Sequence, residues 1–447
     1  MSVFAAVARE PGRLGRAVGA WGAPGLTAVV LGLVLGLELS RRPPSLALAV
    51  GGGIGLVVVL ALALWRYDWA AGLGIVLLFF VRKEPAPADA VFLIAIAVAI
   101  ATGRFTVHRV PAVINALVGA YLTLTLISLT FVVDPSRAIR FSFITFYLAF
   151  FALWLPSWLR SQVQARIVAR AYVFAAALSA LLGTAAYVGG PGRGTFLEYG
   201  GTRAVGLYKD PNVFGAFLVP AALIVIDELF KPKLLKGRWP VKVAIFVLLM
   251  LGIVFSFSRA AWINFALGVL VMIVVFALRR GSVGRALKLL FSVAGAVVVV
   301  AVVLAATGSI GFLQSRAHVQ SYDSKRFGAQ QEGLQLVAHH PFGVGPGQFE
   351  LYAPLSAHST YVRAVAELGI LGLAVVLAFV LVTLVLAVWN AGIGRETYGI
   401  GSAPLLGAWA GLLLSGFVID TIHWRHLWLV AALIWTATMR PLRARTA

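Results

Sequence analysis

Three short stretches of the 447-residue chain hold residue types suited to gripping an anion and moving a proton. The first runs from Gly201 to Asn212, Gly-Thr-Arg-Ala-Val-Gly-Leu-Tyr-Lys-Asp-Pro-Asn, and sets Arg203 and Lys209 just before an apolar segment. Backbone N–H groups and the positive dipole end at a helix start add to such cations, a combination that suits phosphate. The same residues also read as a plain helix-start turn, Asp210-Pro211-Asn212, with cations snorkelling to lipid headgroups. The second stretch, Phe255 to Trp262, is Phe-Ser-Phe-Ser-Arg-Ala-Ala-Trp and places Arg259 between two apolar segments with almost no loop. A guanidinium is a planar fork that grips phosphate by two bonds, and an ionisable group at this depth points to function. Its bland alternative is an interfacial arginine in a tight hairpin. The third, Ser356 to Glu367, is Ser-Ala-His-Ser-Thr-Tyr-Val-Arg-Ala-Val-Ala-Glu. His358 there can accept a proton from a hydroxyl near neutral pH, or simply cap the helix that follows.

Secondary candidates are Lys209, Arg316, Lys325, Arg326 and Arg363, cations near the same loops, together with Asp420 and His423 before the last apolar segment. Other patterns carry less. Gly343-Val-Gly-Pro-Gly lacks the Lys-Ser/Thr of a phosphate loop. His339 and His340 are adjacent, so on a helix they point about 100° apart and make a poor metal pair. A Ser-His-Asp set drawn from Ser359, His358 and Asp420 stays open, although no nucleophile elbow surrounds the serine.

The elements that must position these residues are membrane spans. The chain is 61% hydrophobic and 12% charged, with a mean hydropathy of +0.94, far more apolar than a soluble protein. A span needs about 20 apolar residues. Apolar windows fall near 21–39, 45–65, 68–81, 88–102, 111–133, 138–156, 166–188, 211–229, 240–257, 259–279, 286–306, 363–389, 401–418 and 425–440. Two are short, so twelve to fourteen transmembrane helices are expected, in an all-α polytopic fold. The expected division is residues 1–306 with eleven spans, 307–362 as a large outer loop, and 363–447 with the C-terminal spans. Within that loop a short amphipathic helix is expected from Ser324 as N-cap to His340, ended by Pro341, and then a tight glycine turn over 342–349.

The net charge of +21 is spread in short groups between spans rather than in one stripe, which argues against nucleic acid and for membrane orientation. With a cytoplasmic N-terminus, the inner connections collect the larger share of Lys and Arg, and both termini come out cytoplasmic. Arg203, Lys209, Arg259, Arg316, Lys325, Arg326 and Arg363 then lie on the outer side against that rule. The N-terminal Arg9, Arg13 and Arg16 before an apolar run resemble a signal peptide, but no small-residue cleavage site follows, so a retained span is expected. Zero cysteines exclude disulfides and thiol chemistry. No period of 20–50 residues repeats, so a one-sided site is favoured over a transporter's symmetric one.

In their order, Gly-Thr-Arg-Ala-Val-Gly-Leu before Asp-Pro-Asn, Ser-Phe-Ser-Arg-Ala-Ala-Trp, an outer loop with His-Pro-Phe-Gly-Val-Gly-Pro-Gly-Gln-Phe, and His-Ser-Thr-Tyr, residues 200–375 resemble the O-antigen ligase and polymerase superfamily. The resemblance implies a multi-span glycosyltransferase of the bacterial inner membrane, with its site facing the periplasm. It would use a glycan carried on undecaprenyl diphosphate and hand it to an acceptor hydroxyl on lipid A-core, another glycan or a protein. It implies that Arg203 and Arg259 bind the diphosphate and that His358 activates the acceptor. Ser359 stands where the family often has Asn, and the outer loop is of modest length, so ligase, polymerase and protein oligosaccharyltransferase all remain open, with ligase favoured. Displacement of a diphosphate by inversion needs preorganised cations and neither metal nor cofactor. The reading from another class is a flippase for the lipid-linked glycan, whose sign would be charge deep within several spans.

Overall fold

The computed structural model describes residues 46–82, 85–198, 200–279, 283–318 and 320–439. The window near 21–39, the basic N-terminal segment and both chain ends lie outside these residues. Among the described residues the chain is all α, with seventeen helices and only isolated β-bridges. They are α1 Leu46–Trp65, α2 Tyr67–Val76, α3 Pro87–Ala101, α4 Ala112–Ser128, α5 Pro135–Trp158, α6 Gln162–Tyr187, α7 Arg193–Phe196, α8 Pro211–Phe230 and α9 Trp239–Phe255. There follow α10 Arg259–Leu278, α11 Val283–Ala306, α12 Ile310–Ala317, α13 Ser321–His339, α14 Phe349–Tyr352, α15 Thr360–Gly392, α16 Ser402–Ser415 and α17 Arg425–Thr438.

Seven are long and apolar enough to cross a membrane: α4, with the 3-10 turn that extends it, α5, α6, α8, α10, α11 and α15. Five more apolar helices, α1, α2, α3, α9 and α16, are shorter. With α17, thirteen of the fourteen expected windows fall on helices, and the protein is a polytopic membrane protein.

Helix starts follow from local chemistry. Asp134, Ser161, Asp210, Ser258 and Ser359 each accept a backbone N–H of the first turn that would otherwise lack a partner. Pro135 and Pro211 occupy first helical positions, where no N–H is needed. In a bilayer helices gain little by burying apolar surface against each other, so close backbone approach and satisfied polar groups hold them. The α10 and α16 helices show it: a Cβ at Gly407 would stand 2.5 Å from the Gly268 carbonyl oxygen, and one at Gly411 would run into Asn264. Buried tryptophans use their N–H as struts, Trp409 to the Val380 carbonyl and Trp435 to Thr383 Oγ1.

One helix breaks where the site needs it. Gly369 (φ 71°, ψ −170°) divides α15 into 360–368 and 370–392. The carbonyls freed at the end of the first half accept Val344 N–H (from Ala366, 2.9 Å) and Gly345 N–H (from Glu367, 2.9 Å), while Ile370 N–H donates to the Pro341 carbonyl at 3.2 Å. The expected glycine turn is therefore a cap on a broken helix. Gly343 and Gly369 face each other's strands, and a Cβ on either would strike backbone atoms of the other segment. Buried Gln348 fastens this turn to the start of α5: its Oε1 accepts Val133 N–H (3.1 Å) and Asp134 N–H (2.8 Å), and its Nε2 donates to the Asp134 carbonyl (3.0 Å).

The loop helix differs from expectation at its start. α13 begins at Ser321, three residues before Ser324, because the Asp323 carboxylate accepts Gln320 N–H at 2.8 Å and caps the first turn. It ends at His339, before Pro341, as expected. Its inner face carries Asp323, Ala329 and Gly333, whereas Phe327 and Leu334 point outward, 59% and 56% exposed.

Candidate functional site

The two arginine stretches meet. Arg203 donates through Nε to the Ser256 carbonyl (2.9 Å) and through Nη2 to Asn212 Oδ1 (3.1 Å), with Glu198 at 3.7 Å. Beside it Ala204 N–H donates to the Phe255 carbonyl at 2.8 Å. These carbonyls are the free end of α9, where a cation answers the negative pole of the helix. Arg203 thus joins the α9–α10 hairpin to the start of α8, and it is buried.

Arg259, the first residue of α10, turns toward the long loop between α11 and α15. Its Nη2 donates to both oxygens of Asp323 (2.6 and 2.8 Å), and its Nη1 to the His318 carbonyl (3.2 Å). Burial pushes the Asp323 carboxyl up, but the Arg259 bonds and Gln320 N–H outweigh it and hold the carboxyl below its usual range. Arg316 approaches the same hairpin, donating to the Phe257 carbonyl at 3.4 Å.

His358 sits in the left-handed backbone region at φ 43°, and Phe257 within the Arg259 hairpin does so at φ 46°. For residues with a Cβ this costs roughly 1–3 kcal/mol and persists only where surroundings impose it. Around His358 they do. Gln330 of α13 donates to the carbonyls of His358 (3.1 Å) and Phe417 (3.2 Å), and Ser359 caps α15 while donating to the Gly416 carbonyl (3.2 Å). The half-buried imidazole itself makes no hydrogen bond among the described residues. Burial, then Arg326 and Arg363, lower its pKa below the usual histidine value, opposed by Asp210 and Asp420. It is therefore neutral and able to accept a proton at pH 7. The Ser359 hydroxyl is committed to capping, which closes the serine-triad alternative.

Arg363 has a different setting. It is buried on the first half of α15 and contacts Glu350 at 2.5 Å, Glu367 at 2.6 Å and, through Nε outside hydrogen-bond geometry, Asp420 at 3.0 Å. Arg137 of α5 holds the same Glu350 at 2.7 Å. Asp420 Oδ2 lies 2.8 Å from His423 Nδ1. Burial raises the Asp420 carboxyl, yet His423, Arg363 and Ile422 N–H bring it down to about 2.

The expected residues thus fall into two neighbouring groups. Arg203, Arg259 and Arg316 gather on the 255–259 hairpin, while Arg363, Asp420 and His423 form an ion-paired cluster at the start of α15; Arg326, Arg363, Asp210 and Asp420 are the charges that act on His358. Lys209 and Lys325 are exposed. Lys209, His423 and Asp420 line a cleft of about 320 Å³ that His358, Arg203 and Arg259 do not line. Sequence reasoning missed Asn212, Ser256, Asp323, Gln330 and Glu350. Each is an ordinary polar residue in its local stretch, and only the partner distant in sequence gives it a role.

Residues 244–377 match the family model described as O-antigen ligase. That segment contains Arg259, the outer loop and His358; Arg203 precedes it. No curated protein matches the chain.

Proposed function

Because the chain carries an O-antigen ligase domain, whose family implies ligase-type glycosyl transfer, we propose that it moves an oligo- or polysaccharide from undecaprenyl diphosphate to an acceptor hydroxyl. The acceptor is lipid A-core or a similar lipid-anchored glycan. The reaction takes place at the periplasmic face of the bacterial inner membrane, with both termini cytoplasmic. The observation that carries the reading is the His358 imidazole, neutral and without a hydrogen bond among the described residues, in a strained backbone held by Gln330 of α13, the helix whose Asp323 also holds Arg259.

In this reading the acceptor hydroxyl attacks the anomeric carbon from the face opposite the diphosphate. His358 takes the hydroxyl proton, the bond from anomeric carbon to diphosphate oxygen breaks, and its electron pair leaves with the diphosphate. Arg203 and Arg259 meet the charge that grows on that leaving group, which stabilises the transition state more than the bound donor. Asp323 occupies the Arg259 fork as a carboxylate, offering the same pair of oxygens that a phosphate offers. The donor therefore competes with a carboxylate for Arg259.

The test uses the purified full-length protein in lipid vesicles with a labelled undecaprenyl diphosphate-linked glycan and candidate acceptors. A new glycosidic bond of inverted configuration, formed in wild type, supports the proposal. Movement of the donor across the vesicle with no new bond would overturn it in favour of a transporter.

A further inference from the structure

None of Arg203, Arg259 and His358 lines the cleft of about 320 Å³. Its polar and aromatic walls come from α5 (Arg140, Phe141), the stretch before α8 (Tyr208, Lys209), Asp420 and residues 423–426, and its floor is apolar, from Leu78, Val81, Ile144, Val213 and Phe217. Its volume lies at the lower end of ligand pockets, about 300–1,000 Å³, enough for one or two sugar rings and too small for a polymer.

Three independent features mark it as a built site. His423 turns Nδ1 to Asp420, which fixes the ring, and no protein group among the described residues bonds its Nε2. With its side chain 19% exposed, that ring can meet a ligand. His426, also in the lining, is 2% exposed and its Nε2 has no partner among the described residues. A buried polar nitrogen left this way costs about 1–3 kcal/mol, which a hydrogen-bonding ligand in the cleft would offset. Trp424 stacks on His426 with centroids 5.1 Å apart and planes at 29°, giving the cleft an aromatic wall. Arg140 and Lys209, both exposed, add positive charge at its mouth.

We propose that this cleft is a saccharide subsite that holds the acceptor glycan by a sugar unit bearing a phosphate or carboxylate. Imidazoles meet the sugar hydroxyls, the aromatic wall meets a ring face, and Lys209 and Arg140 meet the anionic substituent. The cleft adjoins the reacting centre. Asp420, in its lining, and Asp210, next to Lys209, both act electrostatically on His358. The inference rests on the transferase reading for the word acceptor, though not for the binding itself.

The experiment measures binding of glucose, glucose 6-phosphate, glucuronate and inorganic phosphate to the full-length protein in lipid nanodiscs by saturation-transfer NMR. Wild type is expected to bind the two anionic sugars saturably and glucose more weakly. Lys209→Ala, at an exposed side chain and with the melting temperature measured alongside, weakens the anionic sugars about tenfold and leaves glucose unchanged, the loss of one charge-assisted contact. His423→Gln weakens all three sugars, and His358→Ala changes none. Inorganic phosphate binding as tightly as glucose 6-phosphate, or sugar binding unaffected by both cleft variants, would overturn the subsite. If the sugars bind as stated while wild type forms no new glycosidic bond, the transferase reading fails alone. If transfer depends on His358 while no sugar binds, the subsite fails alone.

Discussion

Two charged clusters of the molecule are built from the same residue types in opposite proportion. In the one around the 255–259 hairpin and α13, Arg203, Arg259, Arg316, Lys325 and Arg326 outnumber Glu198 and Asp323; in the one at the start of α15, Glu350, Glu367 and Asp420 outnumber Arg137 and Arg363. A cluster with spare positive charge attracts and orients an anion, whereas one whose arginines are divided among carboxylates holds elements together. Arg363 ties the half-helix 360–368 to α14 and to the 416–424 loop, and so fixes the segment that begins at His358. An outer-loop cation in the sequence is therefore no measure of its role; the carboxylates that the fold brings to it decide.

Four substitutions and titrations would break or sharpen this contrast. His358→Ala has the largest expected effect, a fall in transfer rate of about 10²–10⁴, the usual worth of a positioned general base, with an unchanged melting temperature. A variant at the wild-type rate would show that the base lies elsewhere. Arg363→Met leaves three carboxylates beside one another in a buried place and costs about 3–5 kcal/mol of stability, read as a lowered melting temperature. Intact stability together with lost donor binding would move Arg363 into the anion group. Acid is expected to act on the two groups separately. Asp420 and Glu350 have folded pKa values below their unfolded ones, so their contribution is complete above about pH 5 and is lost as pH falls below it, that of Asp420 toward about 2. His358, also lowered, stays neutral as pH falls through 6.5, so the transfer rate should hold there and decline only below. A rate that halves near pH 7 would contradict this. The smallest effect belongs to exposed Lys325→Ala, within about 0.5 kcal/mol in stability.

Much of the fold was legible because spans advertise themselves by length and apolarity. The helix start at Asp210 was equally legible as a polar residue before proline and an apolar run, whereas the cap at Ser258 was not read from the sequence and that of α15 is Ser359 rather than His358. The break in α15 was not, since Gly369 lies within a run, Glu-Leu-Gly-Ile-Leu-Gly, that reads as continuous helix. Its cap, the glycine turn 343–347, was visible only as a turn. In the candidate site, Arg203, Arg259 and His358 stood out as charged or titratable residues at span ends. Their partners did not: Asp323 read as part of a loop, with Ser324 taken for the cap. The grouping of Arg363 with Asp420 rather than with Arg259 depends on contacts 57 residues apart in sequence.

The most direct test of the central claim is the affinity of the protein for undecaprenyl diphosphate itself, measured in lipid for wild type, Arg203→Gln and Arg259→Gln. Each loss of a charged bidentate contact should weaken binding at least about tenfold while the melting temperature stays within a few degrees. Unchanged affinity in both variants would contradict the assignment of these arginines to the diphosphate.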